Sequence, residues 1–518
     1  MDQINQSEAG KNLGIVSTIK EKFNKTENLL DKILVNIVLL YLFIPIEIFF
    51  IGFLRWYYSL VLTVIMIYVF CKISKSIKYK KIEINSKIKT ILIISLILIW
   101  VAFSGIGGFS YQNDDYIVRN PVFNDLMSYD WPVHYNFENA PEEITDVVGN
   151  GEVSFSYYFI FWLPAALIGK VLGYGIAQIC LYLWSALGIG LIVYLIKRAT
   201  SINGILIILG MIMFSGMDVV GTLISKKEFG LGLHLEWWNT TFQYSSITTC
   251  LYWVFNQAIP IWIITSLILN LNNNKSNLAI GSLAFAYSPF AIFGMIPVMI
   301  ISIFKKYEKE KKSFIIRIKE TITSQNILIP IIIIIIFGAF FISSGDKITV
   351  NGWSFAGINS ISGAINYIKK YMLSIFLEFG IYALLIFRER KKDLFYLTSI
   401  VLLTLIPLYI MTPANDFVMR GSMSLLFILM VEILYYLQYS KEIIKKYLLI
   451  TLLVLGMITP FNEIYRSITN TVEQTNIIKK DTSFGILDKI DIENLALYDR
   501  QFFIHNYENT FFFKYLAK

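Results

Sequence analysis

Long apolar stretches alternate with short polar ones along the whole chain. A helix rises about 1.5 Å per residue, so runs of about 18 or more apolar residues can cross a hydrocarbon core of about 30 Å. Thirteen stretches are candidates: 32–53, 54–71, 89–107, 155–172, 175–196, 202–223, 245–271, 278–304, 327–344, 371–387, 394–411, 419–438 and 447–460. They lack the period-two alternation of barrel strands, and in lipid only helices or closed barrels satisfy the backbone. The pattern predicts an all-α polytopic membrane protein of about 11–14 transmembrane helices.

The polar intervals are sorted by charge. Basic residues gather at Lys20–Lys25, Lys72–Lys89, Lys305–Lys319, Arg388–Lys392 and Lys441–Lys446, as cytoplasmic loops do. The interval 108–154 carries nine acids and one base, Arg119. The division expected is a cytoplasmic N-terminal segment 1–31, a transmembrane domain 32–460 with a large first outer loop 108–154 bearing short helices, and a small outer C-terminal segment 461–518. Two threadings of the middle remain open. Five plain crossings would put Lys197 and Arg198 outside. If 155–172 dips in and returns, those bases stay in the cytoplasm and 228–246 moves outside. The run 278–304 must then be a hairpin broken at "AYSPF" (286–290), where Pro289 removes a donor and disfavours helix at Ser288. The second threading satisfies more basic residues.

Of the 518 residues, 56% are hydrophobic and 16% charged. The net charge of +8 lies in the short basic blocks, which attract anionic lipid. No basic face interleaved with aromatics suggests nucleic acid. Cys71, Cys180 and Cys250 have no close spacing, so neither a disulfide framework nor a metal cluster follows. No short apolar segment with a cleavage site begins the chain. Nor does a phosphate-binding loop or dinucleotide fingerprint occur where it would carry weight.

Chemistry concentrates in "YQNDDYIVRNPVFNDLMSYDWPVHY" (111–135), which holds Asn113, Asp114, Asp115, Arg119, Asp125, Asp130 and His134. If its start is helical, Asp115 and Arg119 face each other at i and i+4. The pair then either ties the loop down or orients a catalytic carboxylate. "EWW" (236–238) joins Glu236 to two indoles that suit an aromatic belt. "WVFNQAIPIW" (253–262) buries Asn256 and Gln257, amides that glue helices or line a cavity. "TPANDFVMRGSMS" (412–424) sets Asn415 and Asp416 before Arg420, either a local ion pair or a phosphate contact. His134, His234 and His505 lack metal-ligand spacing.

The order of these segments resembles the GT-C superfamily of integral-membrane glycosyltransferases, which includes protein mannosyltransferases and aminoarabinose transferases. The resemblance rests on "SGIGGFSYQNDDYIVRNPVFNDL", "YYFIFWLPAALIGK", "WVFNQAIPIW", "SPFAIFGMIP" and "NDFVMRGSMSLLF", spread over 89–440. It implies an uncharacterised bacterial branch in the plasma membrane, N-terminus cytoplasmic and C-terminus outside. It also implies an inverting transfer from a polyprenyl-linked sugar donor to a glycan, lipid or protein acceptor. Asp114 and Asp115 would be catalytic. Asn113, Arg119, His134, Glu236, Gln257, Asn415, Asp416 and Arg420 would contact substrate, Arg420 at the carrier phosphate. Some members use a divalent cation, Mg or Mn, which Asp114 or Asp115 would hold here. Two extra spans precede the one feeding the loop, and the tail lacks a WWDYG-type motif, so donor and acceptor stay open. A transporter or flippase of lipid-linked glycans, or a surface-polysaccharide ligase or polymerase, are the alternative readings.

Overall fold

The computed structural model describes residues 29–80, 86–225, 228–304, 313–344, 350–412, 415–474 and 478–518. The expected N-terminal segment up to residue 28, and the basic residues 305–312, lie outside the described residues.

Among the described residues, nine helices are long and apolar enough to cross a membrane. They are Leu29–Phe53, Trp56–Ser76, Tyr174–Thr200, Gly204–Ile224, Ile247–Asn270, Ser324–Ile342, Ile361–Arg390, Asp416–Tyr439 and Ile443–Glu473. Ile247–Asn270 and Asp416–Tyr439 are the most enclosed and meet at a stacked pair, Trp262 on Phe427, 6.1 Å between centroids. Several expected spans come out short. The run 155–172 is not a long span: after the strand Glu152–Phe155 the chain turns and forms the short apolar helix Ile160–Leu172. Thirteen residues reach about 20 Å, short of the core of about 30 Å. The run 278–304 divides into Asn277–Tyr287 and Ala291–Phe304. Ser288 is extended at the break, and its hydroxyl donates to Gln257 Oε1 at 2.7 Å. The second piece returns beside the first, with Asn277 Nδ2 donating to Ser302 Oγ at 2.9 Å and Asn274 Nδ2 to the Ile303 carbonyl at 3.2 Å.

Polar contacts sort the helix ends onto two faces. On one, Arg198 donates to Asp31 (Nε–Oδ1 2.9 Å, Nη2–Oδ2 3.0 Å), to the Lys78 carbonyl at 2.7 Å and to Asn270 Oδ1 at 3.0 Å. On the other, Thr471 accepts from the Tyr111 amide at 2.8 Å and Asn462 Oδ1 from the Gly232 amide at 2.7 Å. Arg198 therefore sits with the end of the first helix, and 228–246 shares the face of the acid-rich loop. These are the relative positions of the second threading.

The acid-rich face is not purely helical. His134–Asn136, Glu152–Phe155 and Phe503–His505 make a small antiparallel sheet with Glu152–Phe155 in the middle; Val153 stands opposite Tyr135 and His505. Asn351–Trp353 pairs with Tyr409–Met411 in a two-stranded ribbon. The last long helix runs on to Glu473, beyond the expected boundary at 461, because Asn462, Glu463 and Ser467 are buried in contacts with this face.

Asp125 pins the tail to the loop. Its carboxylate accepts from the Phe484 amide at 2.8 Å, from Tyr135 Oη at 2.9 Å and from the Ser483 hydroxyl. Burial pushes this carboxyl up to about 7, against the pull of those three donors. An acid whose pKa rises on folding stabilises fully below its unfolded value of about 3.9, and that stability is lost as pH climbs through the folded value. Hydrogen exchange across 478–505 should thus quicken as pH is raised from about 4 to about 7 and level off above, after correction for intrinsic rates. In Asp125→Asn this extra pH dependence should vanish; an unchanged profile would rule out Asp125 as its source.

Candidate functional site

Asp114 and Asp115 close the loop that enters the helix Tyr116–Ser128, whose first amide bonds back to the Asn113 carbonyl at 2.9 Å. Carboxylates there face the positive end of a helix. One turn on, Arg119 is 3% exposed and donates to Asp115 Oδ2 at 2.6 Å. Its guanidinium lies over Tyr116 and Phe255, at 5.2 and 5.5 Å. Arg119 Nη1 and Asn113 Nδ2 both donate to the Tyr252 carbonyl, at 3.4 and 3.1 Å. That carbonyl is free to accept them because Ile247–Asn270 leaves helical geometry at Val254 (φ −145°, ψ 38°). A kink in the most enclosed helix thus seats the acid-rich loop.

A second ion pair closes on the first. Arg420 Nη1 lies 3.3 Å from Asp416 Oδ2, one turn into Asp416–Tyr439, with its guanidinium 5.8 Å over both Tyr158 and Phe290. Asp115 feels the charges of Arg119, Arg420, Asp416 and Asp114, and Arg420 in turn feels Asp416, Tyr158, Tyr157 and Asp115. The two ion pairs are joined through Phe255, Asn256 and Tyr158, since Arg119 lies over Phe255, Asn256 donates to the Tyr158 carbonyl and Arg420 lies over the Tyr158 ring. Burial raises the Asp115 carboxyl above the ordinary carboxylate value, while Arg119 and Arg420 pull it back. Its side chain keeps 41% exposure, enough to be reached from the face. Asp114 is exposed. Arg420 Nε is buried without a hydrogen-bond partner, a donor held in reserve.

The other expected site residues divide. Asn415 Nδ2 donates to the Thr241 carbonyl at 2.6 Å, and its Oδ1 is buried without a partner beside Asp416. Gln257 accepts from Ser288, and Asn256 Nδ2 donates to the Tyr158 carbonyl at 3.1 Å, so these amides tie helices together. His134 lies apart in the sheet, packed on Tyr507 and Phe513 and facing Glu152 and Glu508. Burial lowers its pKa.

Glu236 belongs to a separate assembly. Its Oε1 accepts from the Ser246 amide at 2.8 Å, and burial raises its carboxyl to about 7. His234 Nδ1 lies 2.6 Å from Glu463 Oε1, and its Nε2 lies 3.9 Å from Glu236 Oε2. Burial lowers the His234 pKa, but the hydrogen bond to Glu463 and the charges of Glu463 and Glu236 outweigh it and raise the value. Glu463 also accepts from Arg466 at 2.5 Å and Trp253 Nε1 at 3.2 Å. Trp238 is no belt anchor: it is 7% exposed, and its Nε1 reaches Asp218 at 3.2 Å and Glu378 at 3.1 Å. Asp218 takes further donors from Ser215 and Thr459, and the Trp238 indole bridges it to Glu378. Asp218 follows an unwound stretch after Met213, and Glu378 sits in a π-turn, irregularities common at functional sites.

The sequence reading missed Asp218, Glu378 and Glu463. Each is a lone acid in an apolar run ("SGMDVVG", "FLEFG", "PFNEIY"), and such intramembrane acids are a signal in themselves. It also missed Tyr157 and Tyr158, which only the fold brings to Arg420.

The donor set does not suit the divalent cation that the resemblance implies. Asp115 Oδ2 is held by Arg119 and Asp416 by Arg420, so a cation there would face two fixed positive charges. Among the described residues no group of three or more His, Cys, Asp or Glu is disposed to hold a metal. No family model matches the chain, and comparison with curated proteins and with solved structures finds no match.

Proposed function

We propose that this membrane protein is an inverting glycosyltransferase of GT-C layout, moving a sugar from a polyprenyl-phosphate carrier to an acceptor hydroxyl. The reaction would run at the face of the acid-rich loop, which the distribution of basic blocks makes the outer face of a bacterial plasma membrane. The observation that carries the reading is that neighbouring residues join the two ion pairs: Arg119 lies over Phe255, the adjacent Asn256 donates to the Tyr158 carbonyl, and Arg420 lies over the Tyr158 ring. Asp115 accepts the acceptor's proton as the new glycosidic bond forms. The bond from the sugar to the carrier oxygen breaks, and Arg420 faces the phosphate on which charge develops. Asp416 and Tyr158 position that guanidinium, and Arg119 orients Asp115.

The test is transfer by purified protein in proteoliposomes supplied with polyprenyl-phosphate sugars. Loss of a charge-assisted hydrogen bond of about 1.5–3 kcal/mol in Arg420→Gln should lower kcat/KM for the donor by about tenfold or more. Arg420→Lys should recover part of it. Unaltered transfer in Arg420→Gln would remove Arg420 from the carrier phosphate.

A second reading is favoured by one feature, the buried acids Asp218 and Glu378, bridged by the Trp238 indole at irregular points of two spans. Buried intramembrane carboxylates mark proton pathways in transporters. Proton-coupled movement of a lipid-linked glycan would be blocked by Glu378→Gln and indifferent to Asp115→Asn.

A further inference from the structure

The face of the acid-rich loop is basic at one corner. The turn between Leu29–Phe53 and Trp56–Ser76 meets the end of the chain there: Leu54 bridges Ala517, and the Lys518 amide donates to the Phe53 carbonyl at 3.1 Å. Arg55 Nε donates to the Ala517 carbonyl at 2.9 Å and Nη2 to the Lys514 carbonyl at 2.8 Å, and among the described residues no carboxylate pairs with it. Carbonyl oxygens hold the guanidinium in place without neutralising it. Lys514 lies over Tyr515 at 5.4 Å, and Lys170 faces Lys518, with Asp130 the acid beside it. Among the described residues, Arg55, Lys514, Lys518 and Lys170 thus gather at a rim where Asp130 is the acid beside them and Glu47 lies deeper in the groove, on a face whose principal loop carries nine acids and one base.

An apolar groove of about 820 Å³ opens beneath these cations, lined by Ile51, Leu54, Trp56, Leu60 and Thr63, with Arg55 and Lys518 at its mouth. Trp56 is 76% exposed, and Ile51 and Leu60 are each 59% exposed. Deeper in, Thr63 caps the carboxylate of Glu47 at 3.0 Å, so any negative head must sit at the Arg55 end. The helix Trp56–Ser76 is among the least enclosed of the long helices, and the groove therefore opens to the bilayer.

We propose that this corner is a binding site for an anionic diacyl phospholipid. Its phosphate lies between Arg55 and Lys518, and an acyl chain follows Leu60 and Ile51. Charge complementarity selects the head: a zwitterionic lipid gains little from these cations, whereas an anionic one gains on the order of fivefold in affinity per cation. Bulk phospholipid is favoured over the sugar carrier because the groove lies on the bilayer side of the first helical hairpin, whereas Asp115 and Arg420 lie among tyrosines of other elements.

Full-length protein in nanodiscs of mixed phosphatidylglycerol and phosphatidylcholine tests this by native mass spectrometry. Wild type should retain phosphatidylglycerol preferentially through delipidation. Lys514→Gln/Lys518→Gln, which leaves every hydrogen bond of Arg55 in place, should reduce that preference by roughly 25-fold, two cations' worth. Brominated phosphatidylglycerol should quench a component of tryptophan fluorescence that Trp56→Phe removes. Equal retention of the two lipids by wild type, or an unchanged preference in the double variant, would overturn the proposal. So would displacement of the retained lipid by polyprenyl phosphate at equal concentration, which would give the groove to the carrier.

Discussion

Asp115→Asn should lower sugar transfer by about 10²–10⁴-fold, the usual contribution of a positioned general base. Asp114→Asn should leave transfer near the wild-type rate. The two acids are neighbours in sequence but differ in partners: Asp114 is exposed, whereas Asp115, its side chain 41% exposed, is held by Arg119 at 2.6 Å. A base must be unprotonated to work. With the Asp115 carboxyl raised by burial, kcat/KM should climb with pH through a value above the ordinary carboxylate pKa of about 3.9. Arg119 draws that value down, so Arg119→Gln should move the rising limb to higher pH, a displacement that a purely structural ion pair would not produce. Asn is nearly isosteric and still accepts from Arg119, but it removes the counter-charge of a buried guanidinium, so Asp115→Asn should insert yet unfold at a lower temperature than wild type, and transfer is compared at temperatures where both are folded. Transfer at the wild-type rate in Asp115→Asn, or greater damage from Asp114→Asn, would exclude Asp115 as the base.

Much of this site could be read from spacing, but only within single segments. The i, i+4 spacing of Asp115 with Arg119 and of Asp416 with Arg420 is local, and both pairs form. That the two pairs are joined depends on the kink at Val254, the turn at Tyr157–Tyr158 and the packing of Asp416–Tyr439, none of which has a periodic signature. Hydropathy finds the long helices for a clear reason: lipid demands an apolar run of fixed length. The same criterion mislabels 155–172, where apolar residues bury against protein instead of lipid. It also passes over Asp218, Glu378 and Glu463, because one acid barely alters the average of a long apolar window. Glu236 was read beside its indoles as part of an interfacial belt, yet Trp238 turns inward because Asp218 and Glu378 offer its Nε1 two acceptors.

Arg198 shows why local charge counting stopped short, and it carries the largest stability effect we expect. Read alone, a basic pair after an apolar run could lie on either face. The fold settles its side through Asp31, fully buried near the start of the first long helix, which also accepts from the Lys80 amide at 2.7 Å and Tyr194 Oη at 2.5 Å. Four donors converge on one carboxylate, and they join the first helix, the loop after Trp56–Ser76 and Tyr174–Thr200. Asp31→Ala strips Arg198 of its counter-charge while leaving the guanidinium buried, a change that destabilises by about 3–5 kcal/mol. The lost hydrogen bonds of Lys80 and Tyr194 add to the damage. Arg198→Met alone should also be costly, since Asp31 would then be the uncompensated charge. The double variant Asp31→Ala/Arg198→Met removes both charges and should be more stable than Asp31→Ala, because the buried charge that causes most of the loss is gone. Thermal unfolding of the four proteins in one detergent closes the cycle. Additive losses in the double variant would mean that the pair does not act as a unit, and that the packing around Asp31, rather than its charge, holds these three elements together.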